Sequence, residues 1–350
     1  MSLNLSYPFL QPAFFSALEH SGSVSPARGW LPCHVQEEDF WMPLYLKSHN
    51  RGEYVFDHAW AEAYARHGLD YFPRLVTAVP FSPLTGPRWR GTLPLEWLRE
   101  QLPQLAAQHS ASSWHLLFPD AETRAALADW PLVSRQACHF RWFNRGYADF
   151  EAFLARLTSR RRKSIRRERT RLVQAGIRIE EALGEAIPAD WWPTFYQCYA
   201  ATYLKRGQRP YLNEAFFQQL ASSPLAAQQW LVRALDARGE VLAMAYYLFD
   251  SHTLYGRYWG ARHEVDGLHF ELCYYRGMEF CLRHGLAEFD PGVQGEHKIL
   301  RGFEPVITWS LHWLREPAFQ RAVADFCARE AEYVQAYQQE ARTLLPYREV

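Results

Sequence analysis

The sequence predicts an α/β (α+β) fold of two tandem units, 1–145 and 146–350, each a mixed, mostly antiparallel sheet flanked by helices. Three observations lead there. At 350 residues the chain exceeds what one core ordinarily organises, so two domains are the natural division. Stretches that alternate with period 2 are interleaved with stretches whose apolar residues recur every 3.6 positions, as in a mixed fold. Finally, ARHGLDYFPRL (Ala65–Leu75) and LRHGLAEFDPG (Leu282–Gly292) share helix, His, Gly, Leu, strand and Pro in register, which reads as an internal repeat.

The elements follow in order. Strand-like runs at Trp30–Val35 and Trp41–Lys47 flank the acidic turn Glu37-Glu38-Asp39. Asp57 stands where a helix N-cap belongs, ahead of HAWAEAYARHG, and Gly68 ends that helix. A strand at Tyr71–Val79 runs into the Pro/Gly-rich loop Pro80–Arg88. Helix 95–108, strand 113–118, helix 121–129 and a strand near 132–143 complete the first half. The second half opens with one helix from Ala148 to Ala175, stopped by Gly176, then helices near 190–205 and 213–221. QQWLVRALD, GEVLAMAYYLFD and HTLYGRYWG form a three-strand meander with turns at Ala237–Gly239 and Asp250–Ser251. Helix 267–284 follows, with Leu268, Leu272, Tyr275, Met278 and Leu282 on one stripe, then the strand Leu286–Asp290 and a long polar helix, 317–344.

Composition excludes several classes. The 38 basic and 38 acidic residues cancel, so no global field draws the protein to nucleic acid or to a membrane. Six scattered cysteines without CxxC spacing, and histidines without HxxxH or HxH spacing, argue against a metal site and for reduced thiols in a cytoplasmic protein. The N-terminal stretch lacks the basic-then-apolar order of a signal peptide, and no apolar run is long enough to span a membrane. Aromatic residues make up 16%, which suits packed cores and also a cleft for a peptide- or sugar-like substrate.

Charge is uneven locally. Nine basic residues lie between Arg156 and Arg171, among them Arg160, Arg161, Arg162, Lys163, Arg166 and Arg167, against one acid, Glu168. Such a helix repels itself unless carboxylates or bound anions neutralise it, so it is either paired with acids elsewhere or a site for phosphates.

The densest chemistry lies in Tyr255–Lys298. Arg257, Gly260 and Ala261, in a strand that leads through a turn to a helix, fit a pyrophosphate site at the helix start, with His269 and Lys298 nearby. Glu271, in the first turn, either complements the helix dipole or acts as a general base if burial raises its pKa. The glycine-bearing loop Gln294-Gly295-Glu296-His297-Lys298 adds an acceptor, a near-neutral base and a cation, suited to taking a proton from an amine. Tyr275 is the candidate that protonates a leaving group. No GxSxG marks a serine nucleophile.

The RRRKSIRR helix start, the meander, and the FDPG and EHK motifs resemble the FemAB-like branch of the GNAT acyltransferase superfamily. GEYVFDHAWAEAY, PFSPLTGPR, KRGQRPYL, TLYGRYWG, HFELCYYRGMEF and QGEHKILRGFEP resemble, more closely, its peptidoglycan biosynthesis/recognition family across nearly the whole chain. The resemblance implies two GNAT-like domains and N-acyl transfer from an acyl-CoA thioester or an aminoacyl-tRNA ester. Either donor would be a co-substrate, with no tightly bound cofactor. The acceptor would be a small-molecule or peptide amine, and the protein a monomer or weak homodimer. The superfamily's pyrophosphate signature is met by Arg257 and Gly260 but ends in Arg262 where a small residue is usual. A non-catalytic recognition module on the same fold is the alternative.

Overall fold

The computed structural model describes residues 5–293 and 295–348. It forms two compact units, each assembled from separated stretches of chain. The smaller contains Gly22–Cys138 and Ile307–Gln338; the larger contains His139–Val306 with the chain up to Ser21 and from Gln339 onward. These are not the contiguous halves expected from the sequence, and the sheets show why.

In the smaller unit the two expected strands are each divided, into Trp30–Pro32 (β1) and Val35–Glu37 (β2), and Phe40–Met42 (β3) and Tyr45–Lys47 (β4). Pro32 ends β1 and Pro43 separates β3 from β4, because proline has no N–H to give a ladder. β2 and β3 pair around the acidic turn. Helix His58–Arg66 (α2; α1 is Pro12–His20, of the larger unit) precedes β5 (Arg74–Thr77), and helix Leu95–Gln108 (α3) leads to β6 (Ser113–Leu117) and helix Ala121–Ala126 (α4). The sheet runs β1-β4-β5-β6, antiparallel except for the parallel β5–β6 pair, and is completed by Ser310–Leu314 antiparallel to β6. Leu98, Leu102 and Ala106 of α3 pack with Leu75, Trp114 and Leu116 in its core. Asp57 occupies the N-cap position of α2 without capping it. Its carboxylate accepts instead from Tyr71 Oη at 2.7 Å and from Arg74.

Strand Val133–Phe143 (β7) brings the chain into the larger unit. The single expected helix 148–175 is two, Phe150–Arg156 (α5) and Ser159–Gln174 (α6). Leu157 is extended and bridges to Tyr347, and Thr158 N–H bonds Pro346 O at 2.8 Å, so the C-terminal tail takes the backbone groups that would continue the helix. Next come β8 (Arg178–Leu183), which sequence reading missed, helices Trp191–Leu204 (α7) and Glu214–Ala221 (α8), and the expected meander β9 (Gln229–Leu235), β10 (Val241–Phe249) and β11 (Thr253–Ala261). The next helix has three parts: Leu268–Phe270 (α9), a π turn Glu271–Tyr275, and Arg276–His284 (α10). β12 (Glu288–Asp290), β13 (Glu304–Leu314) and α11 (Pro317–Thr343) follow. β12 is parallel to β11 and antiparallel to Trp142–Phe143 of β7; β11, β10, β9 and β8 are antiparallel.

Each unit thus has a parallel strand pair joined by a helix, and each takes its next strand from a distant part of the chain. The larger unit uses the end of β7, which precedes it; the smaller uses the end of β13, which follows it. Strand pairing has no sequence-distance limit, so the units interleave.

The same topology re-registers the repeat. The matching crossovers are β5–α3–β6 and β11–α9/α10–β12, whereas the RHGL echo aligns α2 with α10. What the two RHGL segments share is a helix stop. Gly68 and Gly285 sit at φ +70° and +68°, with Leu69 and Leu286 N–H returning to Tyr64 and Cys281 carbonyls at 3.0 and 2.9 Å.

Candidate active site

β11 outruns its neighbour. Thr253–Tyr255 pair with Glu288–Asp290, where β12 ends, while β11 continues to Ala261. From Gly256 onward it has β10 on one side and, among the described residues, no strand on the other. Backbone groups on that open side need other partners; Thr202 Oγ1 donates to Trp259 O at 3.1 Å. Toward β10, Tyr246 faces Tyr258 and Tyr247 faces Gly256, so Arg257 is the extra residue of a β-bulge. Bulges re-aim side chains and are frequent beside active sites.

A cavity of about 90 Å³ opens at this place. β11 lines it with Gly256, Arg257, Tyr258 and Trp259, and the facing helix with His269, Cys273 and Tyr274. His269 and Cys273 are four apart, as one helix face requires, and the π turn carries Tyr274 to the same side. Tyr274 Oη lies 2.7 Å from His297 Nε2, which ties the 3₁₀ turn Glu296–Arg301 to the cavity. Among the described residues no carboxylate lines it.

Desolvation sets the protonation states. Burial pushes His269 down to about 4, with His297, Lys298 and Arg301 acting the same way, so its ring is neutral near pH 7. His297 is lowered by burial, then by Lys298 and Arg301. Burial pushes Lys298, whose Nζ donates to Gly292 O, down to about 8, against the opposing charge of Asp290. Burial pushes the Cys273 thiol up, which keeps it protonated and unreactive.

Several expected site residues have other partners. Glu271 is buried and bound by two arginines: Arg169 Nε and Nη2 reach its two oxygens at 3.0 Å, and Arg276 Nε reaches one at 2.9 Å. With both oxygens held by guanidinium groups and its side chain outside the cavity lining, Glu271 anchors α6 to the π turn. Tyr275 donates to Glu168 and accepts from Arg301 Nε at 2.9 Å, and both Glu168 oxygens also receive Arg301. It therefore belongs to a buried lock behind the cavity, and Tyr274 is the tyrosine on it.

Gly260 and Ala261 are the last two residues of β11, seven and six residues before Gly267, where the turn gives way to the helix. A Cβ on Gly260 would stand 1.8 Å from Cys198 O, so the glycine lets α7 cross the strand. Glu296 and His297 are exposed at the start of the 3₁₀ turn, and Gln294 lies outside the described residues. On α6, Arg166 pairs with Glu151, Arg169 with Glu271 and Glu279, and Arg171 with Asp266. Arg160, Arg161, Arg162, Lys163 and Arg167 have no carboxylate partner among the described residues, and α6 has no acid in its first turn. Among those residues no group of three or more His, Cys, Asp or Glu could hold a metal, and no helix is long and apolar enough to cross a membrane.

Tyr274 was missed because period 3.6 puts Tyr275 in line with Leu268 and Leu272, and Glu168 and Arg301 because they meet only through the fold. Only the π turn rotates Tyr274 onto the cavity. The anchor role of Glu271 predicts that Glu271→Gln lowers stability by about 1–3 kcal/mol, since it leaves Arg169 and Arg276 to share the single charge of Glu279. Urea unfolding checks this, and an unchanged midpoint would refute it.

Over residues 2–349 the sequence matches the FemAB-like family, described as peptidoglycan biosynthesis/recognition. The chain belongs to this family. The FemAB-like chain also resembles solved structures. L-PGS from Bacillus licheniformis is 12% identical, with 90% of this chain and 96% of that one covered at a TM-score of 0.54. The C-terminal domain of a putative lysylphosphatidylglycerol synthetase from Agrobacterium fabrum is 9% identical, with 90% and 96% covered at 0.54. FemX is 11% identical, with 90% and 94% covered at 0.50. At these identities the likeness concerns the fold. No curated protein sequence matches the chain.

Proposed function

We propose that this FemAB-like protein transfers a small acyl or aminoacyl group from a phosphate-bearing donor to an amine acceptor of the cell-wall precursor type. The open, bulged edge of β11 at a cavity lined by the neutral His269 and, among the described residues, by no carboxylate carries this reading. The donor carbonyl lies against that edge, where strand N–H groups meet its developing oxyanion. Arg257 and Lys298 disfavour an ammonium, so the acceptor enters as a neutral amine. Its nitrogen attacks the carbonyl carbon; a C–N bond forms and the C–S or C–O bond to the donor breaks. One proton moves, in net, from the amine nitrogen to the departing sulfur or oxygen. Tyr274 and His297, in contact at 2.7 Å, are the relay for it.

Membership of a peptidoglycan family supports the acceptor class. The unpaired cations of α6 support the donor class. Basic residues in a first turn oppose the helix dipole, and a phosphate relieves that opposition. Coenzyme A and aminoacyl-tRNA share this chemistry, but only a polyanionic RNA gives binding that falls steeply with salt.

The test is single-turnover transfer, followed by mass spectrometry, with acyl-CoA or aminoacyl-tRNA as donor. Tyr274→Phe and His297→Ala are each expected to slow transfer about 10²-fold or more without lowering the melting temperature. Undiminished transfer by the double variant would remove the relay. Absence of transfer from either donor class to any cell-wall amine would leave the recognition-module reading.

A further inference from the structure

A second cavity, of about 360 Å³, lies wholly within the smaller unit. Tyr54, Phe118, Trp309, Tyr333 and Tyr337 wall it, and Phe56 stands at its lip. Tyr333 and Phe56 are 77% and 67% exposed. Tyr54 and Phe118 hold left-handed backbone, φ +61° and +55°, a conformation costly for bulky residues that clusters at ligand sites. The Arg135–Glu330 ion pair on the wall is internally neutral. Arg135 meets Glu330 through Nε and Nη2 at 2.6 and 2.7 Å, and Nη1 donates to Phe56 O at 2.9 Å.

One polar group on the wall has a fixed direction. Ser310 Oγ is 2.8 Å from His312 Nε2, His312 Nδ1 is 3.0 Å from His115 Nδ1, and His115 Nε2 is 2.9 Å from Ser113 Oγ. Arg74 Nη1, always a donor, lies 3.4 Å from His115 Nδ1. That nitrogen is therefore the acceptor, which makes His312 Nδ1 a donor and His312 Nε2 an acceptor. Ser310 must then give its proton to His312 and show the cavity only lone pairs. At the far end His115 Nε2–H donates to Ser113, Ser113 to Ser112, and Ser112 to Tyr71 O, so each donor has an acceptor. Burial, with Arg135 and Arg74, holds His312 well below its ordinary range. The pair therefore orients the serine oxygen and does not activate it as a nucleophile.

A ligand for this cavity needs apolar faces for the rings, no net charge, and a hydroxyl or amide N–H for Ser310. We propose that the cavity binds a saccharide ring, at a site distinct from the transfer cavity and independent of its function. The pyranose C–H face would lie on the Trp309 and Tyr333 rings, and a hydroxyl or N-acetyl N–H would donate to Ser310 Oγ.

The test titrates N-acetylglucosamine and its disaccharide into the full chain, followed by tryptophan fluorescence and saturation-transfer NMR. Saturable binding is expected, with Tyr333→Ala and Phe56→Ala each weakening it about tenfold. Both rings are exposed, so these variants keep the parent melting temperature. Ser310→Ala is expected to weaken the sugar by a similar factor, through loss of one hydrogen bond. No saturable binding, or binding that the two rim variants leave unchanged, would overturn the proposal.

Discussion

Gly260→Ala is expected to destabilise the larger unit by about 3 kcal/mol or more. The added methyl would lie 1.8 Å from Cys198 O and 2.1 Å from Cys198 C, both backbone atoms of α7. No side chain can swing aside to make room; helix and strand must part, which also disturbs the aromatic packing of Tyr199 on Tyr258, whose ring centroids are 5.2 Å apart. A thermal melt should show a fall of roughly 6–12 °C. A melting temperature equal to the parent's would show that α7 does not cross at Gly260. Loss of donor binding with the melting temperature intact would return the glycine to the anion-binding role read from its motif.

Acid should unfold the protein through its buried histidines. Burial pushes His115 and His312 well below their ordinary range, with Arg74 and Arg135 adding, and pushes His139 and His269 down to about 4. In the unfolded chain each titrates near 6.5. Below that pH the unfolded chain binds protons that the folded chain refuses, so ∂ΔG/∂pH is positive and stability falls with pH. The contribution is fully present above about pH 6.5 and is lost as the pH falls toward the folded values. Each histidine held neutral then loses, in the limit, about 1.4 kcal/mol per pH unit, which comes to roughly 2 kcal/mol between pH 6.5 and 4.5. Urea midpoints measured across that interval should decline steadily. A flat profile would mean that these rings are protonated in the fold.

Much of the frame was legible. The β9–β10–β11 meander, the helix ended by Gly285 and the strand into Asp290 all follow from local patterns: alternation, a 3.6 stripe, and a glycine at φ +68°. The helix 148–175 misled because nothing local marks the break at Leu157, which the C-terminal tail imposes. Asp57 is read as a cap by position, yet Arg74, seventeen residues on, claims its carboxylate. Within Tyr255–Lys298, Arg257 and His269 do meet at one cavity, and His297 reaches it through Tyr274. Glu271 and Tyr275 are engaged by Arg169 and Glu168 of α6, partners that no local pattern announces.

By itself, the sequence determined what depends on neighbours along the chain: the mixed class, the meander, the helix stops, the cationic face of α6 and the family's motifs. Only the tertiary structure decided which strands complete each sheet, how β11 outruns β12, which tyrosine the π turn presents, and which carboxylates arginines hold. These depend on groups brought together from distant positions, and in a desolvated site it is such partners that fix charge and orientation.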